Sequence, residues 1–218
     1  MNDSARLAWS LKNKNIHMAL IVLGIALIIF SLFSFRLRHY IILLVIGLIA
    51  FVYSFPALPV GARKRIKDYG LIKIVTLALV WTLVTVWLPV TNFSFPNLLF
   101  WFIFFKRFIF MFVLCLLFDV RDIEIDYEKN IHTIPVIAGR MNSYYIAYFA
   151  LAVFFILSIV QFYLFGDIKF FIALGISAIA TFTTVEATRK NNSDFIYLFG
   201  IDGMMLLQAL LIYLAIKF

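Results

Sequence analysis

Five of the 11 acidic residues in this chain stand within one stretch of ten positions: Asp119, Asp122, Glu124, Asp126 and Glu128. The three aspartates are spaced i, i+3 and i+7. If the apolar helix that precedes them continues, they share one face. Carboxylates gathered on one face repel one another unless a cation lies between them. Hard oxygen ligands of this kind suit Mg²⁺, which keeps several waters and bridges to substrate phosphates. The plainer alternative is a solvated acidic helix end, partly neutralised by Arg121 and Lys129. The position favours chemistry, because this helix end opens on the side of the chain where the basic loops also lie. Metal and phosphate can meet there.

The elements that must position this cluster are membrane helices. The 218 residues are 65% hydrophobic and only 14% charged, with a mean hydropathy of +1.04. Soluble domains carry roughly 25% charged residues. Lipid must therefore solvate much of this chain. A span needs about 20 apolar residues. Uncharged runs cover 18–35, 40–62 and 74–105, and the last is too long for one helix. Pro89 and the segment Thr91-Asn92-Phe93-Ser94-Phe95-Pro96 divide it, and its second half continues through Lys106-Arg107 to Phe118. Further candidates run over 141–166, 170–185 and 195–216. The expectation is an all-α, polytopic helical bundle of about seven transmembrane helices, folded as a single domain over 1–218. The first run is long, lacks a small-x-small cleavage site and is followed directly by Arg36, so it reads as a retained helix and not a signal peptide.

The net charge of +8 does not point to nucleic acid in such a chain. It reflects basic loops facing anionic lipid and the cytoplasm. With the N-terminus on one side, that side collects twelve lysines and arginines, among them Arg63, Lys64, Arg65, Arg121 and Lys129. The other side holds four, Arg36, Arg38, Lys169 and Lys217. Lys73, Lys106 and Arg107 are left inside or beside helices. The N-terminus and the acidic cluster are thus expected in the cytoplasm, in an inner or plasma membrane. Cys115, the single cysteine, reads as core packing, and His17, His39 and His132 have no metal-ligand spacing. Asp202 lies within the last span and is expected to pair with a neighbouring helix or line a cavity. Lys106 or Arg107 is a candidate partner for it, or for a phosphate. Gln208 reads as an interhelical hydrogen bond and Glu186 as a solvated residue.

The stretch Asp119-Val-Arg-Asp122-Ile-Glu-Ile-Asp126, followed by Ile131-His-Thr133-Ile134-Pro135-Val-Ile-Ala-Gly139, resembles the second aspartate motif of the UbiA family of intramembrane prenyltransferases. There a Thr-Leu-Pro stretch and a glycine follow the motif. Tyr53-Ser54-Phe55-Pro56, at a helix end before a basic loop, resembles the family too, as does the order of helices. The resemblance implies a UbiA-like fold and Mg²⁺ held by Asp119, Asp122 and Asp126. It implies a polyprenyl diphosphate whose phosphates meet Tyr53, Arg63, Lys64, Arg65 and Arg121. Metal neutralises the departing diphosphate, and a hydrophobic, often aromatic acceptor takes the isoprenyl group inside a dry cavity.

The sequence departs from the family pattern in three places. An earlier Asn-x-x-x-Asp-x-x-x-Asp motif is not found; four and eight positions after Asn2 stand Arg6 and Ser10. The seven helices match the family's third to ninth, so the chain is expected to begin just after that motif and to transfer prenyl groups slowly, or not at all, by itself. A lysine common soon after the tyrosine is Ala57 here, with Arg63, Lys64 and Arg65 as the nearest substitutes. The glycine before the Thr-Leu-Pro stretch is Asn130, which tolerates a left-handed turn. The alternative to a prenyltransferase is a non-catalytic membrane protein that keeps the fold to bind lipid or a partner. An ion-coupled transporter built on Asp202 would leave the three aspartates unexplained. A CDP-alcohol phosphotransferase would need an Asp-Gly-x-x-Ala-Arg core, and Asp202-Gly203-Met204-Met205-Leu206-Leu207 does not supply it.

The charge asymmetry makes a topological prediction. Cysteines placed at Lys64 and Lys129 should resist an impermeant label added outside intact cells and react once the membrane is opened. Labelling from outside contradicts the assigned orientation.

Overall fold

The computed structural model describes residues 13–54, 69–90, 97–191, 193 and 195–218. Arg63, Lys64 and Arg65 lie outside the described residues. Among the described residues there are helices and short connections, and no strand. Seven helices among the described residues are long and apolar enough to cross a membrane: α1 (Lys14–Phe33), α2 (Leu37–Ser54), α3 (Gly70–Trp87), α4 (Leu98–Arg121), α7 (Arg140–Phe165), α8 (Ile168–Lys190) and α9 (Ile196–Lys217). Two short helices, α5 (Ile123–Glu128) and α6 (Ile134–Ala138), join α4 to α7. The bundle is that of an integral membrane protein. Large apolar side chains stand exposed along every span, among them Phe30, Leu48, Ile72, Phe105, Phe149, Ile179 and Leu206. A soluble protein cannot leave that much apolar surface in water.

The chain packs as two compact units, divided between Leu44 and Val45. In the first, α1 turns into α2 through a polar corner. The Arg36 N–H donates to His39 Nδ1 at 2.9 Å, and the His39 ring stacks on Phe35 with centroids 5.1 Å apart. Tyr40 Oη donates to the Leu32 carbonyl at 2.7 Å, beside the Phe35 N–H that also donates to it, so the end of α1 is capped from both the backbone and α2.

In the second unit α4 is the hub. It packs on α3, on α7 and on the first turns of α9, while α8 packs on α7 and α9. Phe110, Val113, Leu114, Leu117 and Val120 of α4 meet Ile74 and Ala78 of α3, Tyr144, Ala147 and Phe154 of α7, and Tyr197 and Ile201 of α9 in one core. The buried stripe of helix α8 is mostly small residues, Ala173, Ser177, Ala178, Thr181, Thr184 and Thr188, with Leu174 and Val185. In lipid there is little hydrophobic force between helices, and small residues hold them by letting backbones approach. Helix ends follow local chemistry. Asn97 caps α4 by accepting from the Phe100 N–H at 2.9 Å, Gly166 ends α7 in the left-handed region (φ 72°), and Asp167 caps α8. Two spans contain a π-helical turn, Leu83–Trp87 in α3 and Ile196–Ile201 in α9.

One close approach positions the site. A Cβ on Gly70 would lie 2.0 Å from the His132 carbonyl oxygen and 2.3 Å from the Thr133 nitrogen. Only a hydrogen atom fits there, so the first turn of α3 presses directly on the backbone that returns from α5. That return is made by Asn130 in the left-handed conformation (φ 53°), with the Ile131 N–H donating to the Asp126 carbonyl at 2.8 Å.

Gly70→Ala should therefore destabilise the bundle by roughly 1–3 kcal/mol, the usual cost of overpacking against an unyielding neighbour. Gly47 and Gly175 meet nothing within 4 Å of an added Cβ. Alanine there should be neutral or stabilising, since a helix interior prefers it. Thermal unfolding midpoints in detergent compare the three; equal midpoints contradict the close approach.

Candidate functional site

The acidic cluster forms where α4 ends. Asp119 and Val120 are the last fully buried residues of α4, and at Asp122 the helix breaks (φ −91°, ψ 13°) before α5 resumes. The break redirects the carboxylates. Asp119 and Asp126 are buried, 4% and 5% exposed, and converge on the same cation. That cation is Lys73, one turn into α3. Its Nζ lies 2.8 Å from Asp119 Oδ1 and 3.3 Å from Asp126 Oδ2. The second oxygen of Asp119, Oδ2, is buried and has no hydrogen-bond partner.

Asp122 takes a different partner. The Arg121 guanidinium grips it with Nε and Nη2, at 2.7 and 3.1 Å. Expected on one face with Asp119 and Asp126, Asp122 instead faces its own neighbour, because the helix does not run straight through it. Among the described residues, no three His, Cys, Asp or Glu side chains come close enough to hold a metal ion. Arg121 is placed by aromatic faces, with its guanidinium carbon 5.0 Å from the Phe118 ring centroid and 5.8 Å from that of Tyr197. Tyr197 is fully buried within the π-helical turn of α9. Tyr53 sits half-buried in the last turn of α2.

The other polar residues fall elsewhere. Arg107 donates to Thr85 Oγ1 at 3.1 Å and to Gln208 Oε1, tying α4 to α3 and α9. Gln208 is the interhelical hydrogen bond expected of it. Lys106 is 3% exposed. Neither residue has a carboxylate partner among the described residues. Asp119 is about 20 Å further along α4, at roughly 1.5 Å per residue, so neither cation reaches a phosphate held there. Asp202 is exposed at the start of the regular part of α9, within electrostatic reach of Arg121 and not paired with Lys106 or Arg107. Glu186 is not merely solvated: it accepts from Tyr148 Oη and, at 3.0 Å, from Arg189. Cys115 packs against the core, as its apolar setting suggested.

The residues fit a cation between Asp119 and Asp126. A positive charge already sits between them, one carboxylate oxygen is left without a donor, and Mg²⁺ needs only one or two protein carboxylates beside water and phosphate. Two residues of this site escaped the sequence reading. The sequence reading places Lys73 only inside or beside a helix and does not single out Gly70. Their signal is the spacing: a glycine one turn before a lone lysine, at the mouth of a span.

A membrane-embedded helical bundle with buried carboxylates at one helix end defines the class. The sequence profile of the UbiA prenyltransferase family matches residues 10–200, and the chain belongs to that family. No curated protein matches the chain, and no solved structure does.

The two ion pairs differ in setting, and their removal should differ in cost. Asp119→Ala strands the Lys73 ammonium beside a single carboxylate at a site where the partners are 18% and 6% exposed, and should cost about 3 kcal/mol or more. Asp122→Ala breaks a pair that is 29% and 33% exposed and should cost no more than about 1 kcal/mol. Unfolding in a detergent–SDS series measures both; equal losses contradict the burial assigned to Asp119.

Proposed function

We propose that the chain transfers an isoprenyl group from a polyprenyl diphosphate to a hydrophobic, aromatic acceptor in a Mg²⁺-dependent reaction at the cytoplasmic end of α4. The observation that carries this reading is the cation seat between two buried carboxylates, with Asp119 Oδ2 left unpartnered. Membership of the family supplies the reaction class.

Asp119 and Asp126 are the proposed metal carboxylates, with Asp122 joining when Arg121 lets go of it. Bound Mg²⁺ would supply Lewis-acid neutralisation of the diphosphate as the carbon–oxygen bond breaks. The bonding electrons leave with the diphosphate. The acceptor forms the new carbon–carbon bond and loses a proton. Arg121, at the same end of α4, holds Asp122 and has its guanidinium already desolvated on one side by Phe118 and Tyr197, which suits it to a phosphate oxygen. Tyr53, Arg63, Lys64 and Arg65 complete the proposed diphosphate set. The apolar core of α4 and α7 excludes water below the seat, which protects an allylic cation.

A second reading has its own observation. Lys73 already satisfies much of the carboxylate charge, as it would in a non-catalytic protein that keeps the fold to bind lipid or a partner.

The two readings separate in one assay. The purified chain is given labelled geranyl, farnesyl and longer diphosphates with an aromatic acceptor, with and without Mg²⁺. The enzyme reading expects transfer that requires Mg²⁺. Asp119→Asn and Asp126→Asn should each lower kcat by at least about 100-fold, a loss of roughly 3 kcal/mol of transition-state stabilisation. Diphosphate binding without any turnover favours the non-catalytic reading.

A further inference from the structure

We infer that Lys73 is a resident counter-ion of this site: its ammonium holds the seat between Asp119 and Asp126 until a divalent cation displaces it, and then turns to the phosphates. The inference rests on the diphosphate–metal reading above and adds a gate to it.

The geometry carries it. Lys73 Nζ touches one oxygen of each carboxylate, at 2.8 and 3.3 Å, from a different helix. A cation binding those two oxygens would have to occupy the same space, and two positive charges cannot share it. Asp119 Oδ2 remains buried without a donor, so the ammonium satisfies the seat incompletely and leaves a ligand atom for a second cation. Lysine suits this role because it is a point charge on a flexible four-carbon stem, and can withdraw without moving its helix. The Lys73 side chain is 18% exposed against 6% for Asp119, so the stem has an open side to withdraw toward. The helix itself is held: Gly70, one turn earlier, is in contact with the His132–Thr133 backbone. Arg121 and Asp122 repeat the arrangement on the next turn, with a cation covering a carboxylate.

Two consequences follow. Metal alone binds weakly, because it must evict an ion pair. Metal with diphosphate binds well, because the phosphates receive the ammonium it evicts. Lys73 thus couples the two ligands and withholds metal from an empty site. In its displaced state it would be a ligand to the phosphates.

Mn²⁺ titration of the purified chain in lipid nanodiscs, read by the loss of the free-ion electron paramagnetic resonance signal without diphosphate, tests it. Lys73→Met should bind Mn²⁺ at least about tenfold more tightly than the wild type, since a unit charge in contact with the seat is removed. Lys73→Arg should bind no better than the wild type, and Asp119→Asn should lose binding in either background. Size-exclusion profiles and helical circular dichroism establish that each variant is folded, with Lys73→Gln as a second neutral form. A wild-type measurement stands beside these: acetylation of Lys73 by acetic anhydride, read by mass spectrometry without diphosphate, should rise once Mg²⁺ is high enough to fill the seat, at the concentration where Mn²⁺ fills it in the titration. Binding that Asp119→Asn abolishes but Lys73→Met leaves unchanged or weakens overturns the gate and spares the metal site. Lys73 acetylation that stays unchanged at Mg²⁺ concentrations that fill the seat overturns the gate as well. No Mn²⁺ binding by the wild type or by Lys73→Met overturns both the gate and the metal reading.

Discussion

A buried charge needs a partner, and the ion pair of Lys73 with Asp119 and Asp126 is the partnership on which the rest of this site depends. It joins three elements that are distant in the chain. Asp119 ends α4, Asp126 belongs to the short α5, and Lys73 comes from α3, more than forty residues earlier. Apolar packing alone would let these helices slide or rotate, because lipid tails compete with it on equal terms. A buried carboxylate with one correct partner does not allow that freedom. The glycine contact at His132 sets how closely α3 approaches, and the ion pair sets its rotation.

The same economy explains why α4 is the hub. It carries the buried Lys106 and the half-buried Arg107 near its middle and the buried Asp119 at its end, and Arg107 and Asp119 take partners on different helices. Arg107 is satisfied by Thr85 on α3 and Gln208 on α9. Thr85 sits in the π-helical turn of α3, and Tyr197, beneath Arg121, sits in that of α9. Such turns commonly occur at functional positions, where one extra residue re-aims a side chain. Here both of them aim polar or aromatic groups at arginines of α4.

The seven spans and their order were legible in the sequence, because each apolar run is long enough to cross a bilayer and too apolar for anything else. The division of the long run was legible at Pro89, since proline cannot continue a helix, and α3 ends at Trp87 just before it; residues 91–96 lie outside the described residues. That the acidic cluster stands at the end of a span was legible from the apolar run before it. What was not legible is which carboxylates meet. An i, i+3, i+7 pattern describes a straight helix, and the break at Asp122 sends that residue to Arg121 instead. Nor was the partner of the other two legible. A lysine at the edge of an apolar run reads as one that snorkels to the surface, and only tertiary packing decides that it turns inward. Arg63, Lys64 and Arg65, expected at the phosphate rim, lie outside the described residues.

The central claim is that Asp119 and Asp126 ligate a divalent cation that also carries the diphosphate. Electron–nuclear double resonance of Mn²⁺ bound to the chain with inorganic pyrophosphate, on protein carrying ¹³C-labelled aspartate, measures it directly. The account predicts coupling to both phosphorus and aspartate carboxyl carbon, with the carbon coupling lost in the Asp119→Asn, Asp126→Asn double variant. Phosphorus coupling without aspartate coupling, or aspartate coupling that survives in the double variant, would contradict it.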